Sequence, residues 1–160
     1  LSLEQLTLSY YSDSNQKIIM ERVQQQLYEA FGVRPTMRDM EWKMYLKEVN
    51  SDPPAVYRLG WMAIYPNPQL FLSLFTSKSH YNTSGFKDDS YDKIVKEFEL
   101  EPSPDQREKL IQQAMKILID QQIVVFPLFS GAQHFLINER VKDFPLNPMN
   151  RMELQHTSLK

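Results

Sequence analysis

Apolar and polar positions alternate between two periods along this chain. Leu3 to Tyr10 carries leucines at 6 and 8 in a β-compatible run. The polar cluster Ser12-Asp13-Ser14-Asn15 then offers a helix cap. Ile19, Val23, Leu27 and Ala30/Phe31 recur every three to four residues, the stripe of an amphipathic helix. Gly32 is placed to stop it. Val33 to Asp39 reads as a second strand, so the opening unit is βαβ with parallel strands. A short helix around Glu41 to Val49, the turn Ser51-Asp52-Pro53-Pro54 and a third strand over Ala55 to Ile64 follow.

The second half is more helical. Pro68 to Phe75 reads as a short apolar helix, and Ser77 to Asp89 as a polar loop pivoting on Gly85. Ser90 to Leu100 is helical. Ser103-Pro104-Asp105-Gln106 carries a complete helix start: a serine cap, proline at the first position and glutamine three after the cap. Leu110, Ala114 and Ile117/Leu118 carry that helix to about 122. Ile123 to Phe129 and His134 to Ile137 read as two strands joined by Ser130-Gly131, and the tail from Val141 has little periodicity. The sum is an α/β fold with a mixed, mostly parallel sheet flanked by helices. Leu3–Tyr10, Val33–Asp39 and Ala55–Met62 are expected in one sheet, with helices near 15–31 and 104–122 packed on it.

Composition narrows the class. With 160 residues the chain can bury a real core, and 42% hydrophobic with 24% charged residues is ordinary for a globular protein. A net charge of -2 gives no basic footprint for nucleic acid. No apolar run approaches the roughly 20 residues that span a bilayer. Absence of cysteine removes disulfides, thiolate metal sites and cysteine catalysis. Four glycines against ten prolines leave no glycine-rich phosphate loop. Leu1 is not a start methionine and no secretory signal pattern follows it, so the chain reads as a piece of something longer.

Candidate chemistry is thin. His80, His134 and His156 lack ligand-like spacing, and Asp88-Asp89 with Asp92 fit a helix N-terminus, where acids favour the dipole. Asn82-Thr83-Ser84 matches a glycosylation sequon, a short pattern with many chance hits. Tyr10-Tyr11 and Phe126/Phe129 are explained by core packing. Nothing argues for an enzyme, a cofactor or a metal. The most informative stretch is Arg58-Leu59-Gly60-Trp61-Met62-Ala63-Ile64-Tyr65, which breaks into Pro66-Asn67-Pro68. Prolines stop a strand there. Trp61 is then either a core residue ahead of a turn or a rigid aromatic shelf at a sheet edge, where ligands of open α/β folds sit.

The order of these signals resembles one family. From Leu6 to about Leu154 the chain is similar to the second lobe of bacterial extracytoplasmic solute-binding proteins of the peptide/nickel class, closest to the oligopeptide-binding members. The marks are Leu6-Thr7-Leu8, the helix ending at Gly32, Glu41-Trp42-Lys43 with Tyr45-Leu46, and Arg58 with Gly60-Trp61. Pro68, Phe71-Leu72, Asn82-Thr83 with Phe86, Tyr91-Asp92, Arg107 with Ala114, Pro127-Leu128-Phe129 and Asn147-Pro148 complete them. The resemblance covers about the last third of a typical member. It implies a lobe of the type II periplasmic-binding-protein fold over 1–140. The tail, 141–160, would return towards the missing first lobe.

The resemblance further implies a peptide or peptide-like ligand held by closure of two lobes, and delivery to an inner-membrane ABC permease. It implies an extracytoplasmic location, periplasmic or as a membrane-anchored lipoprotein. Arg58, Gly60, Trp61, Met62, Ala63, Ile64, Tyr65 and Asn82 are the implied ligand-binding positions, whereas Trp42 matches a family tryptophan read as structural. Oligopeptide-binding members place an aspartate for the peptide's amino terminus three positions after the tryptophan; this chain has Ile64. Arg58 matches a position that can meet the ligand's carboxylate. The cleft then keeps a cation and loses an anion. An isolated lobe is expected to fold but to bind peptides negligibly, leaving an exposed apolar surface around Trp61 and Tyr65. A structural or protein-interaction α/β domain that kept the fold without transport is the alternative.

Overall fold

The computed structural model describes residues 5–129, 134–147 and 152–160. They form two compact units. One takes in the chain up to Trp61 together with His80–Phe86; the other takes in Met62–Ser79 and the chain from Lys87 onwards.

The first unit is the expected βαβ arrangement. Strand β1 (Thr7–Tyr11) leads into α1 (Ser14–Phe31), then β2 (Thr36–Met40), α2 (Trp42–Ser51) and β3 (Val56–Tyr57). The sheet order is β2-β1-β3 and both pairings are parallel, with Leu8 opposite Met37 on one side and Val56 on the other. Asp13 caps α1, its carboxylate accepting from the Asn15 and Gln16 amides at 2.9 and 3.2 Å. Gly32 ends it at φ 70, a left-handed conformation that glycine adopts without Cβ strain.

Leu8, Tyr10 and Met20 form the buried cluster of this unit, with Leu6, Val23, Leu27, Met37 and Val56 packed around it. The α1 stripe is therefore real but ends early. Met20 and Gln16 take the deepest positions, whereas Ala30 and Phe31 are exposed. By the last turn the helix has run past the five-residue strand it covers.

The third strand corrects the sequence reading. The expected run over Ala55 to Ile64 is a ladder only at Val56–Tyr57, extended by one bond from the Arg58 amide to the Ser9 carbonyl at 3.0 Å. The Tyr45 hydroxyl donates to the Arg58 carbonyl at 2.8 Å and takes the acceptor that a further ladder step would use. A β-compatible run cannot reveal that a tyrosine from α2 takes the place of the next ladder bond to β1. For the first strand, Leu3 lies outside the described residues, and the ladder runs from Thr7 to Tyr11.

In the second unit, α3 (Gln69–Leu72) tightens into a 3-10 turn over Ser73–Phe75. Helix α4 (Asp89–Leu100) starts at Asp88, whose carboxylate accepts from the Tyr91 amide at 2.9 Å. Helix α5 (Pro104–Met115) begins with proline as expected and runs into a π-helical turn over Lys116–Gln121. Ser103 occupies the cap position but makes no capping bond with its side chain. The Glu101 carboxylate instead accepts from the Ser103 amide at 2.8 Å. Leu72, Tyr91, Val95, Phe98, Ala114, Ile117 and Leu118 are buried here.

Residues 123–129 and 134–137 are not strands, a second correction. The Val124 amide turns back to the Leu118 carbonyl at 2.7 Å, and Ile123 takes φ 51 to do so. Phe126 and Phe129, expected in a core, are exposed. The proposed joint at Ser130-Gly131 and the Pro148 mark lie outside the described residues. Near the C-terminus, β4 (Val141–Lys142) pairs antiparallel with β5 (Ser158–Leu159).

Candidate functional site

The strand order fixes where a ligand can meet this sheet. From β1 the chain goes to β2 on one side, then crosses through α2 to β3 on the other. The connections diverge between β1 and β3, and crevices of open α/β sheets form outside the carboxyl ends of strands at such a point. Two segments emerge there. One is the turn after β1 with the first turn of α1; the other is Arg58–Trp61 after β3.

Arg58 is half-buried and held on three sides. Its amide and carbonyl are taken by Ser9 and Tyr45 as above, and its guanidinium donates to the Gln16 side-chain carbonyl. Gln16, only 8% exposed, donates its amide to the Tyr11 hydroxyl at 2.8 Å. The Tyr11 ring stands edge-on to Trp42 with centroids 4.9 Å apart, and Trp42 stacks on Tyr45 at 6.4 Å. Tyr45 is fully buried, and burial pushes its hydroxyl up to about 12. Among the described residues no carboxylate lies within salt-bridge distance of Arg58.

Beyond Arg58 the main chain is bare. Among the described residues, Leu59 to Ile64 make no backbone hydrogen bonds. Gly60 has an ordinary φ, and a Cβ built on it meets nothing within 4 Å, so the protein's own packing does not require glycine there. Its bare backbone permits close approach from outside. Trp61 is 48% exposed, which decides against the core reading, and its ring stands edge-on to Tyr81 at 4.8 Å. Met62, Ile64 and Tyr65, in the second unit, are exposed, and Ala63 is half-buried.

Asn82 follows Tyr81 and sits half-buried. Its side-chain amide donates to the Phe86 carbonyl at 2.7 Å and its oxygen accepts from the Ser84 hydroxyl at 2.7 Å. It folds its own loop. Tyr57 and Thr83 share a hydrogen bond of 2.8 Å, which ties that loop to β3. Trp61 and the loop carrying Asn82 are thus brought together, through Tyr81.

Sequence reading passed over Gln16, Tyr11 and Tyr81. A signal for Gln16 existed: a polar residue four positions before Met20 on the inward stripe of α1. The three histidines are exposed, and no cluster of acids and histidines among the described residues could hold a metal ion. No helix there is long and apolar enough to cross a membrane.

No family model matches the chain. Curated proteins do. The dipeptide-binding protein DppE of Bacillus subtilis is 28% identical over 153 residues, 96% of this chain and 28% of the relative. The periplasmic murein peptide-binding protein MppA of Escherichia coli is 30% identical over 142 residues, 89% of this chain and 26% of the relative. The solved structure of the latter superposes with a TM-score of 0.69 at 32% identity, over 73% of this chain and 23% of that one. A periplasmic oligopeptide-binding protein of Borrelia burgdorferi covers 98% of this chain and 32% of its own with a TM-score of 0.79; at 21% identity it supports the fold alone. The chain spans about a quarter of the length of the curated relatives it matches. These relatives are binding proteins, and they do not favour a structural domain divorced from transport. Over the stretch it spans, this chain has the fold of the type II periplasmic binding proteins and is similar in sequence to the peptide-binding members that serve ABC transporters.

Proposed function

We propose that this chain is the ligand-binding part of one lobe of a two-lobe solute-binding protein. It takes a peptide or peptide-like solute outside the cytoplasm and passes it to an ABC permease. The observation that carries this is the bare main chain after β3. It lies at a sheet edge, at the carboxyl ends of parallel strands, between a half-exposed tryptophan and a half-buried arginine. An extended peptide can add its own backbone to such an edge, while alternate side chains meet Trp61 and Arg58. Arg58, Gly60, Trp61, Met62, Ala63, Ile64 and Tyr65 are the proposed ligand-facing positions. Asn82 acts by shaping the loop that backs Trp61.

The charge pattern narrows the ligand class. A closed cleft that buries an ammonium must supply a carboxylate or several acceptors, because an unpaired buried charge costs several kcal/mol. Ile64 offers neither where the resemblance places an aspartate. Arg58 can grip a carboxylate through its planar guanidinium. The ligand is therefore a molecule with a free carboxylate and a blocked, absent or displaced amine, such as an acylated or cell-wall-derived peptide.

Calorimetric titration of the intact protein with trialanine and N-acetyl-trialanine tests this. The acetylated peptide is expected to bind at least as tightly, and Trp61→Ala to weaken it about tenfold or more. Tighter binding of the free amine would show that another acid anchors it. No binding of either would remove the peptide reading.

A further inference from the structure

The Gln16–Arg58 contact goes beyond the ligand class. An arginine that is half-buried usually meets a carboxylate, which compensates its charge. Here the partner is a neutral amide, itself buried and fixed from behind by the Tyr11 hydroxyl at 2.8 Å. Tyr11 in turn is wedged against Trp42. A long, flexible side chain is thus tied at its tip without being neutralised. We infer that Gln16 is the positioning residue of the site: its side-chain carbonyl holds the Arg58 guanidinium in one orientation, and its lack of charge leaves that cation uncompensated for a ligand carboxylate. An acid at position 16 would hold the guanidinium equally well and satisfy it, removing the preference for anionic ligands. A small apolar residue would leave the charge and lose the orientation. Glutamine is the side chain of that size that supplies an acceptor to Arg58, a donor to Tyr11 and no net charge.

The inference rests on the reading of Arg58 as the carboxylate anchor, and two variants with opposite expectations separate the two. The probes are N-acetyl-trialanine and its C-terminal carboxamide, titrated against the intact protein. The wild type is expected to prefer the carboxylate by about tenfold or more, the scale of a charge-assisted hydrogen bond. Gln16→Glu should abolish that preference. Gln16→Ala should keep the sign of the preference and reduce it severalfold. Nitrogen-15 NMR of the Arg58 guanidinium gives a readout that needs no ligand. Its terminal NH2 protons should be resolved in the wild type and in Gln16→Glu, and averaged by rotation in Gln16→Ala. Equal averaging in all three proteins would overturn the positioning role. A carboxylate preference unchanged in Gln16→Glu would overturn the charge argument. A wild type that binds both probes equally, or neither, would sink the anchor reading, and the NMR comparison would still decide whether Gln16 positions Arg58.

Discussion

Replacing Tyr45 with phenylalanine removes one oxygen from the centre of the first unit, and its cost can be worked out. The ring is fully buried, and the hydroxyl donates to the Arg58 carbonyl at 2.8 Å, with the Ser9 carbonyl at 3.3 Å. Ser9 also accepts from the Arg58 amide, so its oxygen stays paired in the variant. The Arg58 carbonyl has no other partner among the described residues and would be left half-buried without one. Losing the bond and stranding that acceptor should cost about 1–3 kcal/mol. The ring itself remains, so no cavity term is added. Urea unfolding at neutral pH measures this.

The same hydroxyl predicts an alkaline limb. Its pKa rises from 10.0 to about 12 in the folded protein, chiefly because burial disfavours the phenolate. The neutral form is favoured in the fold, so this stability is fully present below pH 10 and is lost as pH rises towards 12. A shift of that size corresponds to roughly 3 kcal/mol over the window. Burial also raises Tyr91 and Tyr10, which add to the decline in the same direction. Tyr45→Phe should therefore be less stable than wild type at pH 8 and should lose less between pH 10 and 12. A variant within about 0.5 kcal/mol of wild type at pH 8, a range typical of neutral surface changes, would refute the reasoning. So would an identical alkaline decline.

Three further outcomes are expected. Arg107 donates to the Phe98 and Glu101 carbonyls at the end of α4, at 2.8 and 3.3 Å, and lies 3.8 Å over the Phe98 ring. Arg107→Ala should cost about 2–4 kcal/mol in urea unfolding, and Arg107→Lys should recover only part because the planar fork is lost. Ile123 holds φ 51 while exposed, so Ile123→Gly should raise the unfolding midpoint by relieving about 1–2 kcal/mol of left-handed strain, offset in part by chain entropy. The Ser9 hydroxyl is buried without a hydrogen-bond partner among the described residues, so Ser9→Ala should be neutral or stabilising by up to about 1 kcal/mol, and a marked loss would reveal a hidden partner.

Local order was written plainly in the sequence. Asp13 and Gly32 bracket α1, the proline start of α5 and the acids at the start of α4 sit where helix termini want them, and β1, β2 and β3 occur in the expected order. These features depend on neighbours within a few residues, which a linear pattern records. Tryptophan ahead of Pro-Asn-Pro marked out one segment, but the pattern alone left the core and shelf readings of Trp61 open. What the pattern could not supply was pairing. The β-compatible run over Ala55–Ile64 and the apolar run over Ile123–Phe129 both read as strands, but a strand exists only where a second one accepts its hydrogen bonds. Tertiary structure ended β3 by sending Tyr45 from α2 to the Arg58 carbonyl, and turned the second run back onto Leu118. It likewise brought Gln16 to Arg58 across 42 positions of sequence, and spent Asn82 on its own loop. Helix ends are settled by short-range hydrogen bonds that the sequence carries; the partner of an arginine is settled by which elements the fold places side by side.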